Sequence, residues 1–166
     1  LSSSTIGTFG NSLDCGDTYD TFDEEKFLKN YNNIIFNDLQ GSTWAPHIVH
    51  KSLWIKVGGF SEEFFPGAGS DPDFNMKLWN EDVRLFKSLA KSKIYHFKSK
   101  TLRTKVSTSG SKSGKLFLKK WGFSIKFFKK YYLKSKTKYD GPLNEPKKTF
   151  NYFLDLLICK IRLVFI

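Results

Sequence analysis

Apolar residues along the chain come in short bursts separated by polar, glycine-containing stretches, and the spacing within each burst predicts its element. Residues 1–20 are rich in Ser, Thr, Gly and Asp with no helical period, which predicts a short strand and then a long loop. Thr21 and Glu24 have capping-box spacing, and Phe27, Leu28 and Tyr31 follow at helical intervals, so a helix is expected over 23–31. Residues 37–42 read as polar loop, and 44–50 as an extended segment, because Pro46 cannot donate to a ladder and biases Ala45 away from the α region. Ser52 is placed to cap a helix over 53–57, with Gly58 and Gly59 to stop it by entering the left-handed region.

A loop is expected over 62–70, followed by a helix starting at Asp71-Pro72, with Asp as cap and Pro in the first turn. Phe74, Leu78 and Trp79 form its buried stripe, and it should end near Asn80. Residues 83–86 and 94–97 are β-like runs. Residues 107–114 have the composition of a linker, and helices are expected over 115–120, 125–133 and 150–166, the last interrupted by Asp155, Lys160 and Arg162. The pattern therefore predicts an α/β body over 1–106, a linker over 107–114 and a helical extension over 115–166.

One hundred and sixty-six residues suit one domain, and 17 Phe, 7 Tyr and 4 Trp supply ample material for its core. The two cysteines, Cys15 and Cys159, are too few for a disulfide framework or a four-ligand zinc site, which points to a reducing, cytoplasmic setting. No uncharged apolar run reaches the ~18 residues of a spanning helix. The net charge of +11 is unevenly spread: residues 1–82 carry −8 and residues 83–166 carry +19. An acidic face joined to a basic region suggests contact with phosphate, nucleic acid or an anionic membrane; a solvated Lys-rich surface is the plain alternative.

Three features bear on chemistry. Asp71 and Asp73 lie two positions apart, a spacing used to hold a divalent ion on diphosphate, yet a helix start uses the same residues as cap and dipole partner. Capping also favours the ionised carboxylate, which keeps Asp71 able to accept a proton while making it a weaker base. His96 stands on an apolar strand, and His47 and His50 fall on opposite faces of an extended segment. No Ser/His/Asp or Cys/His arrangement and no phosphate-cradling glycine loop is visible.

The run Trp54-x-x-Val57-Gly58-Gly59-Phe60-Ser61-Glu62-Glu63-Phe64, then Ser70-Asp71-Pro72-Asp73-Phe74 at a helix start, then Ile94-Tyr95-His96-Phe97, resembles the acceptor-side half of family 2 glycosyltransferases over residues 38–104. The resemblance implies a partial GT-A-like fold and inverting sugar transfer from a nucleotide-sugar donor to a hydroxyl acceptor, glycan or lipid-linked. Asp71 matches the position of the general base and His96 that of a strand-end His that completes the metal or diphosphate site. Acceptor contact is expected from Glu62, Glu63 and Asp73, and from Trp44, because sugars stack on aromatic faces. A divalent metal, Mn or Mg, is expected in the complete enzyme. Ser70 stands where the family has Glu. The nucleotide-binding half, with its metal-binding Asp-x-Asp, has no counterpart in the sequence, so the chain reads as a C-terminal part that is inactive by itself.

A competing class is a non-catalytic basic module. Lys119, Lys120, Lys126, Lys129, Lys130 and Lys134 are interleaved with Phe117, Trp121, Phe127, Phe128, Tyr131 and Tyr132, as in nucleic-acid stacking platforms. An acidic first half and the lack of an RNA- or DNA-binding motif argue against nucleic acid. The alternative partner is an anionic membrane on its inner face, with the aromatic bodies at headgroup depth and the Lys side chains reaching outward.

Overall fold

The computed structural model describes residues 13–33, 37–41, 47–65, 67–92, 95 and 109–166. Among these the chain is mixed α/β and mostly helical, with one small antiparallel sheet. The helices are α1 (Glu24–Asn30), α2 (Lys51–Val57), α3 (Ser70–Asn80), α4 (Ser109–Trp121), α5 (Ile125–Phe127) and α6 (Phe150–Val164), and the strands are β1 (Leu39–Gln40) and β2 (Lys87–Ser88). The expected strand over 94–97, the extended segment around Trp44 and the position of His96 lie outside the described residues, Tyr95 apart.

The helices form where the apolar spacing places them, and differ in their caps. Asp23 caps α1 by accepting from the Lys26 N–H at 2.8 Å, while Thr21 instead closes a local turn with Thr18. The α2 helix begins at Lys51, with His50 Nδ1 accepting the Ser52 N–H, and Gly58 ends it in the left-handed region as expected. The α4 helix begins at Ser109, inside the stretch read as a linker. Phe117 and Leu118 anchor its second half in the core, and Ser113 is buried one turn earlier. After α5 the backbone loosens into a π-helical turn, Phe128–Tyr132, where Leu133 N–H donates to Phe128 O.

β1 and β2 pair as Leu39↔Ser88 and Gln40↔Lys87, so the strand falls just after the apolar run 83–86 and inside a segment read as loop. The basic half completes this sheet: Gln40 N–H donates to Thr137 O at 2.8 Å, and Leu39 bridges Lys138. Gly41 makes the close approach possible. Its φ is +67°, and an added Cβ would sit 2.6 Å from the Leu133 carbonyl oxygen.

One continuous core runs through both halves, from Phe64, Phe74, Trp79 and Phe86 to Phe117, Phe128, Leu133 and Leu143. Burying each such side chain contributes about 1.5–3 kcal/mol. The expectation that the aromatic residues of 117–132 present themselves at headgroup depth is therefore overturned. Phe117, Phe127 and Phe128 are buried, and Trp121, Tyr131 and Tyr132 pack against the same cluster, because that is where the acidic half leaves apolar surface to cover.

Candidate functional site

The Gly58-Gly59-Phe60 turn leads from α2 into the 3-10 turn Glu62–Phe64, and it is held from both sides. Gly59 has φ +60° with the Trp54 indole 2.7 Å from where a Cβ would be, so a larger residue has no room. Lys77, on the third turn of α3, reaches across and donates to Val57 O at 3.1 Å and Gly59 O at 2.8 Å. An ammonium on the terminal carbonyls of α2 satisfies acceptors that the helix leaves open. Burial, working against the nearby Asp73 charge, holds the Lys77 ammonium below the usual lysine range.

The α3 start differs from the sequence expectation. Gly69, with φ 105°, is the cap, and no side chain caps the helix; Asp71 stands inside the first turn rather than before it. Ser70 Oγ donates to Gly67 O at 2.7 Å and tightens the entry. Two residues along an α-helix are separated by about 200° of rotation, so Asp71 and Asp73 face different sides of α3 and do not share a ligand.

Asp73 points inward and is 0% exposed. Its Oδ2 accepts from Ser61 Oγ at 2.6 Å, and its Oδ1 from Trp121 Nε1 at 2.8 Å and Lys120 Nζ at 2.9 Å. Lys120 also pairs with Glu63 and donates to Ser61 Oγ at 3.1 Å. Burial opposes the Lys120 charge, but the hydrogen bonds to Glu63 and Asp73 outweigh it and hold the ammonium above the usual lysine range. The network ties the 3-10 turn Glu62–Phe64, the start of α3 and the end of α4 into one unit. A buried carboxylate is tolerated because charged and neutral donors together satisfy it.

Asp71 lies half-buried on the other side of that first turn, in the helix-terminal field. Glu62 is exposed on the adjoining 3-10 turn, and Glu63 is drawn to Lys120. Beneath lies an aromatic box: Trp54 and Phe60 meet edge to face at 5.3 Å, and His47 stacks on Phe74 at 5.5 Å. Burial pushes the His47 imidazole below its usual range, toward the neutral form. Among the described residues no three His, Cys, Asp or Glu side chains gather as a metal site, and Asp71 with Asp73 does not fit one. Trp44 and His96 are outside the described residues. A separate cleft of about 710 Å³ opens beside the sheet, lined by Asp38, Leu89, Lys138 and Tyr139, and none of Glu62, Glu63, Asp71 or Asp73 lines it.

Sequence reasoning missed Ser61, Lys120 and Trp121 as partners of Asp73, and His47 as a member of the box. Lys120 and Trp121 lie 47 and 48 positions beyond Asp73, and no local pattern links residues so far apart. Comparison with known proteins finds no family model, no curated protein and no solved structure that matches the chain.

Proposed function

We propose that the chain carries the acceptor-side half of a GT-A-like inverting glycosyltransferase, with Asp71 as its general base. The observation that supports this reading is a contrast within one helical turn. Asp73 is fully buried and structural, whereas Asp71, two residues earlier and on a different side of α3, is only half-buried. A buried anchor and a rigid turn position the second carboxylate, which is what a base needs from its scaffold.

In this reading an acceptor hydroxyl lies against an Asp71 Oδ. As the hydroxyl oxygen bonds to the anomeric carbon, the bond from that carbon to the donor phosphate oxygen breaks. The nucleoside diphosphate leaves with the electron pair, and the hydroxyl proton passes to Asp71. Attack opposite the leaving group inverts the anomeric centre. Ser70, in place of the family's Glu, leaves acceptor orientation to Glu62 on the adjoining turn. A divalent ion, Mn or Mg, offsets diphosphate charge when bound, with ligands other than Asp71 and Asp73.

Titration calorimetry with uridine, guanosine and cytidine diphosphate sugars plus Mn²⁺ tests the division of labour. Weak or no heat is expected from this chain. A micromolar complex, ~−8 kcal/mol, would contradict an acceptor-side assignment.

A further inference from the structure

The C-terminal helix is amphipathic with two apolar faces. One packs on the core through Tyr152 and Cys159, which are buried, with Leu156 and Leu163 against them. The other faces solvent. Phe150, Phe153, Leu154, Leu157, Ile161 and Val164 are all exposed, from 46% at Leu154 to 82% at Phe150. At about 100° per residue these six fall within an arc of about 100°, centred roughly opposite the core face. A soluble surface does not ordinarily carry so continuous an apolar stripe without an occupant.

Charge identifies the occupant. Lys160 flanks one edge of the arc, and Lys147 and Lys148 immediately precede the helix; all three are exposed. The acid of the helix, Asp155, lies off the stripe, where Lys130 Nζ and Tyr131 Oη each donate to it at 2.7 Å. Its charge is thus neutralised beside the stripe rather than within it. A second copy of this chain seated on the stripe would gather these cations at one seam with no acid on the stripe to offset them, which charge disfavours. An acyl–headgroup boundary suits both parts: it takes the apolar arc, and the Lys side chains reach up to anionic phosphates. One side of α6 packs on the core and the apolar arc lies on the other, so a helix lying in the interface plane is the matching geometry.

We propose that α6 docks the chain on an anionic membrane surface through this stripe, independently of the reading of Asp71. The Lys and aromatic residues of 117–132 are then the packing that presents α6, not the contact itself.

The test is co-sedimentation of the 166-residue chain with phosphatidylglycerol–phosphatidylcholine vesicles against phosphatidylcholine alone, beside single-stranded DNA at matched salt. The wild-type chain should pellet with the anionic vesicles, and Leu157→Glu with Ile161→Glu should weaken partition at least about tenfold. Because Phe150 and Val164 are over four-fifths exposed, Phe150→Ser with Val164→Ser gives a second variant that spares the fold and should also weaken it. Lys147→Gln, Lys148→Gln and Lys160→Gln should each cost up to about fivefold at low salt. Tyr19→Ser, at an exposed position on the other half, should change nothing. Equal pelleting with both vesicle types, unaltered binding by both apolar-face variants, or DNA binding stronger than vesicle binding would overturn the proposal. So would a dimer in sedimentation velocity that the glutamates dissolve while vesicle binding persists.

Discussion

Replacing Asp73 by Asn keeps shape and volume but removes the charge on which three elements converge. The carboxylate now takes three donors between 2.6 and 2.9 Å with no exposed surface. An amide presents one oxygen in place of two. If that oxygen meets Trp121 Nε1 and Lys120 Nζ, the NH₂ faces Ser61, whose hydroxyl must turn to accept. The Lys120 ammonium then keeps only Glu63 as a full counter-charge, at 26% side-chain exposure. Breaking one side of a buried pair costs about 3–5 kcal/mol; residual pairing and partial exposure put this case near ~2–3 kcal/mol. At this chain length each kcal/mol moves Tm by about 2–4 °C, so a fall of ~5–10 °C is expected. The assay is calorimetric melting of wild type, Asp73→Asn, Lys120→Met and the double variant. The cycle should return a coupling of about 1–3 kcal/mol. A single-variant Tm within 1–2 °C of wild type, on the same scale of about 2–4 °C per kcal/mol, would refute the claim that Asp73 is the anchor of the site.

The other predictions concern neighbouring links. On the proposed function, Asp71→Asn in a chain joined to a donor-binding half should lower the transfer rate about 10²- to 10⁴-fold while shifting stability little, measured by radiolabelled sugar transfer beside a melt. Hydrogen bonds from Lys130 and then Tyr131 hold the Asp155 carboxyl below its ordinary value, so folding gains from the pair above about pH 4 and loses that gain as pH falls through the depressed value. Protection of α6 amides, each rate divided by its intrinsic value at that pH, should therefore fall below about pH 4, and Asp155→Asn should remove that fall. Gly41→Ala forces a Cβ to 2.6 Å from Leu133 O in a left-handed backbone, and should cost about 1–3 kcal/mol in urea unfolding.

Helices carried by a local apolar period were legible in the sequence. Phe74, Leu78 and Trp79 located α3, and Gly58 located the end of α2, because a stripe and a left-handed stop are properties of adjacent residues. The entry to α3 was not legible: Asp71-Pro72 has the residue types of a cap, but Gly69 in the left-handed region and Ser70 on Gly67 O start the helix earlier. The Ser- and Gly-rich stretch before Lys115 reads as linker, yet α4 extends back through it because Phe117 and Leu118 fix the helix from its other end. The Lys-aromatic interleaving of 117–132 looked like a surface because Lys119 and Lys126 do face outward and Lys120 and Lys130 pair with acids. The aromatics turn to a core that only the acidic half completes. Half of the candidate site was visible as the Gly-Gly-Phe turn and the Asp-Pro-Asp helix start. The other half, Lys120 and Trp121 on α4, depends on a tertiary contact that no spacing encodes.

The central claim, that the first turn of α3 and the Glu62–Phe64 turn form an acceptor surface with Asp71 at its centre, is tested most directly by amide chemical-shift mapping. The titrants are a panel of mono- and disaccharides added to the isotopically labelled chain. The account predicts perturbations concentrated on residues 61–64 and 70–73, altered by Asp71→Asn while the Trp121 indole N–H stays in place on Asp73. No perturbation by any sugar, or one confined to the cleft of Asp38 and Tyr139 or to α6, would contradict it.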